Sequence, residues 1–165
     1  MTVASVIQTI PSLALLAAMV PVLAALGLRS IGFLPAFIGL VLYSLLPILR
    51  NTVTGIDSID TSLIEAARGV GMTPSQQLRS VELPLAMPVI VAGIRITAVT
   101  QIAVATVAAY INAGGLGDII FQGITQDFGE KIVAGAVLTS LLAIVVDEGL
   151  KLVERHLRAA TAEQL

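Results

Sequence analysis

The runs SLALLAAMVPVLAALGL and IGFLPAFIGLVLYSLLPIL, with two more of the same character further on, set the strongest limit on what this chain can form. A helix of about 20 predominantly apolar residues crosses the hydrocarbon core of a bilayer. Inside that core every backbone N–H and C=O needs a partner within the protein, and an α-helix supplies one from its own segment. Four spans are therefore expected, at about residues 12–28, 31–49, 85–111 and 132–153. Pro21, Pro35 and Pro47 fall inside the first two. Proline is tolerated there when neighbouring helices or waters satisfy the freed carbonyls, so the kinks point to a packed bundle. The expected fold is all-α, a polytopic membrane helix bundle in which residues 1–165 make a single transmembrane domain.

Composition narrows the function classes. Hydrophobic residues make up 56% of the 165 positions and charged residues only 12%, about half the share usual in a soluble domain. The formal net charge of −2 gives no reason to expect nucleic acid as a partner. The absence of cysteine excludes disulfides, thiolate catalysis and cysteine-based metal sites. With a single histidine, His156, a multi-histidine metal site within one chain is excluded as well. Residues 1–10, MTVASVIQTI, carry no Lys or Arg, so no cleavable signal peptide is expected.

Basic residues set the orientation. Arg50, Arg68 and Arg79 lie between the second and third spans, and Lys151, Arg155 and Arg158 follow the fourth. Only Arg29 and Lys131 fall on the other side. The 62–84 segment and both termini are therefore expected in the cytoplasm. The outer segment NAGGLGDIIFQGITQDFGE breaks the third helix at Gly114, Gly115 and Gly117, with Asp118 placed to cap a short helix from Ile119. No Gly-Lys-Ser/Thr follows its glycines, so phosphate binding is not indicated.

The stretch EAARGVGMTPSQQLRSVELP, residues 65–84, is the polar island in this chain. Ser62 and Glu65 have the spacing of a capping box, with Leu63, Ile64, Ala66, Ala67 and Val70 as apolar positions of a helix that Gly71 ends. Thr73-Pro74-Ser75-Gln76 opens a second helix with a second box, and Leu83-Pro84 is expected to stop it. A helix-glycine-helix is also the shape of a DNA-binding motif. From Asp57 to Pro84, however, four acidic residues (Asp57, Asp60, Glu65, Glu82) outnumber two basic ones (Arg68, Arg79), the wrong sign for a phosphate surface. The alternatives are an inert structured loop and a small docking knob whose alanines and glycine let a partner approach closely.

Glu65-Ala66-Ala67, then Gly71 after three residues and Val81-Glu82-Leu83-Pro84 after nine more, resembles the E-A-A-x3-G-x9-I-x-L-P loop of ABC importer permeases. The one departure is Val81 in place of Ile. The flanks YSLLPILRNTVTGI, PLAMPVIVAGIR and GGLGDIIFQG resemble the permeases for glycine betaine, carnitine, choline or proline, from Gln8 to about residue 157. The resemblance implies an ABC type I importer permease in the inner membrane, with a cytoplasmic EAA coupling helix-turn-helix. It implies a cytoplasmic ATP-binding subunit, an extracytoplasmic substrate-binding protein and a second permease copy as partners. It implies that ATP is hydrolysed on the separate subunit, with no catalytic residue and no cofactor on this chain. Carried over, Glu65, Ala66, Ala67, Gly71, Leu83 and Pro84 face the ATPase. Such permeases commonly have at least one further helix before the QTIPS segment, so a chain lacking N-terminal helices is expected. A permease for another substrate class, such as amino acids, and an ion-coupled secondary carrier stay open as alternatives. A membrane enzyme would need a nucleophile–base pair or metal cluster that the sequence does not offer.

Polar residues within the spans are the remaining candidates. Arg95, Thr97 and Gln101 on the third span could line a translocation path; the competing readings are a snorkelling arginine at the inner interface and interhelical hydrogen bonds. Asp147, Glu148 and Lys151 read as helix-surface ion pairs. Phe33 and Phe37, one turn apart, are suited either to a quaternary ammonium or, more ordinarily, to packing.

Overall fold

In a computed structural model the structure describes residues 10–162, with side chains through Leu157. Gln8 and Thr9, where the family resemblance begins, lie outside the described residues, as do residues 1–9 of the stretch read for a signal peptide and the side chain of Arg158. The helices are α1 (Ser12–Ala25), α2 (Phe33–Asp57), α3 (Thr61–Gly69), α4 (Pro74–Gln77), α5 (Leu83–Ala108), α6 (Leu116–Thr125) and α7 (Gly129–Ala162). A π-helical turn, Leu78–Glu82, joins α4 to α5, and a 3-10 turn, Ala109–Ile111, follows α5. The described residues contain no strand. The fold is all-α.

Among the described residues, three stretches are long and apolar enough to cross a membrane: Phe33–Asp57, Pro74–Ile111 and Gly129–Leu157. α1 has 14 residues, which at 1.5 Å per residue is about 21 Å, short of a core about 30 Å thick. The helices overrun several expected limits. α2 continues past Leu49 because Asn51 and Thr52 turn their side chains back onto the carbonyls of Pro47 and Ile48, both at 2.8 Å. These polar residues are satisfied by the helix itself and do not break it.

Leu83-Pro84 does not stop the helix either. The Leu83 N–H donates to the Leu78 carbonyl, five residues back, in place of the usual four. The widened turn precedes Pro84, whose missing N–H and bulky ring disfavour a regular α turn ahead of it, although Pro21, Pro47 and Pro88 are accommodated inside helices elsewhere in the chain. The chain runs helical from Pro74 to Ile111.

The chain divides into two compact units: Met1–Leu46 with Ala98–Val146, and Pro47–Thr97 with Asp147–Leu165. In the first unit Leu16, Ala36, Ala108 and Ile111 form a buried cluster. The Ile111 carbonyl accepts from the Gly32 N–H at 3.0 Å. α6 starts at Leu116 with Gly115 as its cap, so Asp118 sits inside the first turn and caps nothing. Its charge there still favours the helix N-terminus. Gly117 is buried against the Thr106 carbonyl, where a Cβ would collide.

In the second unit α2 packs on α5 through small residues. Gly55 lies against Ala86 and Val89, and Gly93 lies against the Asn51 side chain so closely that a Cβ has no room. Close backbone approach of this kind is how membrane helices gain packing where lipid offers no hydrophobic drive.

Candidate functional site

The second unit carries the polar island, and its local chemistry makes it rigid. α3 is capped by Asp60, whose Oδ1 accepts from the Ser62 N–H at 2.9 Å. The cap is therefore two residues earlier than the Ser62–Glu65 spacing indicated. Asp60 has extended backbone while Ser62 is already helical, and a carboxylate two residues ahead wins over the hydroxyl. The hydrogen bond from Ser62 holds the Asp60 carboxyl below the usual aspartate range.

At its other end α3 closes in a Schellman arrangement. The Gly71 N–H donates to the Arg68 carbonyl at 2.9 Å and the Met72 N–H to Ala67 at 3.1 Å. Gly71 has φ +83°, as the motif requires. α4 then opens with a complete capping box. The Thr73 N–H donates to Gln76 Oε1 at 2.9 Å, and the Gln76 N–H donates back to Thr73 Oγ1 at 3.4 Å.

Gln77 fastens the two helices together. It is 4% exposed, and its Nε2 donates to the Ile64 carbonyl at 3.1 Å. Sequence reasoning passed over this residue, because nothing in the local pattern separates a buried glutamine from its exposed neighbour Gln76.

The surface so built is specific about what it shows. Glu65, Ala66, Gly69, Val70 and Gly71 are exposed, whereas Ala67 is buried and packs within the element. Val70 is 76% exposed, an apolar side chain at the tip and not part of a buried helix face. A recess of about 310 Å³ lies beside it, lined by Val70, Gly71, Met72, Gln76 and Ser80. Leu83 is exposed and Pro84 half-buried on the adjoining helix. An exposed valine, a glycine and the polar Gln76 and Ser80 around a recess, with the Glu65 carboxylate exposed on α3, suit a protein surface. Three or more metal-ligating side chains do not cluster anywhere among the described residues.

The three polar candidates of the third span have separate fates. Arg95 Nε lies 3.6 Å from Asp147 Oδ1 and 3.6 Å from Glu154 Oε2 on α7. Thr97 is buried, and its hydroxyl donates to the Gly93 carbonyl of its own helix at 2.8 Å. Gln101 Nε2 donates across to the Leu40 carbonyl of α2 at 3.1 Å, an interhelical bond. Asp147 faces Arg95, while Glu148 pairs with Lys151 at 2.9 Å.

In the first unit Phe33 and Phe37 stack with ring centroids 5.7 Å apart and are 71% and 52% exposed. They border a cavity of about 310 Å³ completed by Ala36, Leu40, Ala105 and Gly114 among others. Tyr110 and Phe121 form a second, tilted pair at 6.0 Å.

Residues 1–159 match the family model described as binding-protein-dependent transport system inner membrane component. The choline transport system permease protein OpuBB of Bacillus subtilis (strain 168) is 48% identical over 163 residues, covering 99% of this chain and 72% of that protein. The glycine betaine/carnitine/choline transport system permease protein OpuCB of the same organism is 46% identical over 151 residues, covering 92% of this chain and 67% of that protein. Among solved structures, an inward-facing form of the MetNI methionine ABC transporter superposes with a TM-score of 0.86 at 29% identity, over 94% of this chain and 73% of the other.

Proposed function

The chain belongs to the family of binding-protein-dependent transport system inner membrane components, and we propose that it is the permease subunit through which a small methylated-ammonium osmoprotectant (glycine betaine, carnitine or choline) enters the cell. It is a membrane transport subunit. In this reading ATP is hydrolysed on a separate cytoplasmic subunit that seats the exposed Glu65–Gly71 tip, a second permease copy completes the pathway, and an extracytoplasmic protein delivers the substrate. The observation that carries it is the capped, glutamine-fastened element presenting Glu65, Ala66, Val70 and Gly71, in a chain whose relatives are named as choline and glycine betaine permeases. The substrate class rests on those relatives. The coupling role rests on the element, which continues without a break into a membrane-length helix. A partner that moves the tip moves α5 with it.

The same geometry supports an orientation. The stretch Pro74–Ile111 has 38 residues, about 57 Å of helix, nearly twice the core thickness. The excess carries the tip out of the membrane on the side rich in basic residues, which we assign to the cytoplasm along with the C-terminus; an N-terminus on that side as well requires the short α1 to cross as a fourth span.

The test is uptake of radiolabelled choline and glycine betaine into vesicles holding this chain with an ATPase subunit and a binding protein. Uptake that needs ATP and both partners is expected. Uptake that proceeds without an ATPase, driven by an ion gradient, would replace this reading with that of a secondary carrier.

A further inference from the structure

From Asp147 to Leu157, α7 presents mostly exposed or half-exposed side chains, with Leu152 at 55% and Val153 at 49%. The residue this stretch buries is a carboxylate, Glu154, at 8%. Its counterpart is Arg95 on α5, 3.6 Å away, and the same Nε lies 3.6 Å from Asp147. Asp147 and Glu154 are two helical turns apart, about 10 Å along the axis, and one guanidinium sits between them. At Nε both contacts are ion pairs longer than a hydrogen bond.

Arg95, its two partners and the docking tip all belong to the same compact unit, Pro47–Thr97 with Asp147–Leu165. Arg95 also rides on the helix that leads directly from the tip. A buried charge is expensive to strand without its partner, so drawing α5 away from α7 at this point is opposed by the cost of leaving Glu154 unpaired from Arg95.

We infer that Arg95 is a positioning residue of the transport cycle: by holding Asp147 and Glu154 it makes α7 follow α5 when the tip is moved. This rests on the permease reading, and it replaces the alternative in which Arg95 lines the substrate path. At 3.6 Å from both carboxylates, Arg95 Nε acts through its charge. Lysine, a point charge, should therefore serve in its place, although it would not at a bidentate site.

The experiment reconstitutes the full complex in vesicles and measures choline uptake and ATP hydrolysis together. Arg95→Gln should leave hydrolysis within about twofold of wild type and lower choline taken up per ATP hydrolysed at least about tenfold, a loss of roughly 1.4 kcal/mol in coupling or more. Arg95→Lys should recover the ratio to within about threefold. The double variant Asp147→Asn, Glu154→Gln should repeat the uncoupling from the other helix, and it decides the matter alone if Arg95→Gln fails to assemble. An unchanged ratio in Arg95→Gln overturns the inference. So does a lysine variant as uncoupled as the glutamine one, or hydrolysis and uptake falling in equal proportion in the double variant. A wild-type complex with no ATP-dependent uptake counts against the permease reading itself.

Discussion

Asp60 sets the start of α3 through one hydrogen bond, and that bond has a definite pH window. The bond from the Ser62 backbone, with a smaller contribution from its side chain, lowers the carboxyl below its ordinary value. A group depressed on folding contributes stability that is present above its unfolded-chain pKa and lost as pH falls through the lower folded one. Amide exchange at the first turn of α3 should therefore stay slow from neutral pH into mild acid and speed up only below the usual aspartate range. In Asp60→Asn that acid step should vanish; a step that persists would mean another group caps the helix. Gly71 poses a different question, because two properties of glycine coincide there. Its φ of +83° demands a left-handed residue, yet a Cβ would meet nothing within 4 Å. Asparagine tolerates that conformation and adds bulk outward. Gly71→Asn should insert and fold like wild type while ATP-dependent uptake drops at least about tenfold, provided a partner surface closes over Gly71. Wild-type uptake in that variant would leave Gly71 with a backbone role only.

At the scale of elements, the π turn Leu78–Glu82 sets the rotation of the Glu65–Gly71 tip about the α5 axis. A π turn places one residue more in the helix than an α turn would, which amounts to about 100° of rotation. Pro84 follows it immediately, and with proline there the narrow turn is disfavoured. Pro84→Ala removes that obstacle, so the turn should relax to α geometry and swing Glu65 and Val70 away from their present bearing. Uptake should fall at least about tenfold with normal membrane abundance; full activity would show that the rotation is set elsewhere. This feature also marks the limit of what the sequence made legible. The Thr73–Gln76 box could be read because both partners lie within four residues. The cap of α3 was missed by two positions because Asp60, Thr61 and Ser62 are three cap-forming residues in a row, and only the backbone tells which is extended. The continuation through Leu83-Pro84 was missed because a proline rule describes an α-helix, and the chain evades it by widening one turn. Arg95 could be marked as a site candidate, but its partners lie 52 and 59 positions along the chain (147 − 95 and 154 − 95), and periodicity says nothing about which helices meet.

At the scale of the whole molecule, the orientation proposed for the chain and the place where substrate is recognised are both open to direct test. Ser75 and Gln126 are both exposed, and the membrane-length helix from Pro74 to Ile111 lies between them in sequence. Because the chain has no cysteine, single cysteines there report cleanly. Gln126→Cys should react with an impermeant maleimide in intact cells and Ser75→Cys only after lysis; the reverse would invert the orientation. Recognition of a methylated ammonium works best with several aromatic faces around one cation, each contributing on the order of 0.5–2 kcal/mol according to desolvation. Phe33 and Phe37 are nearly parallel, 21° between ring planes, and more than half exposed, so they cannot enclose a cation from several sides. Tyr110 and Phe121 are a separate pair, and Tyr110 is 68% exposed. The cavity beside Phe33 and Phe37 is lined by aliphatic and glycine residues and offers no carboxylate as a substitute. A permease also works against itself if it binds tightly midway, because a deep well slows release into the cell. Affinity should therefore reside in the separate binding protein, with this chain providing only a transient path. Titration calorimetry of the purified permease with choline or glycine betaine should show no binding tighter than about 1 mM, a free energy near −4 kcal/mol. A micromolar site on this chain would place recognition in the membrane and require aromatic or acidic groups to converge in a state of the bundle other than this one.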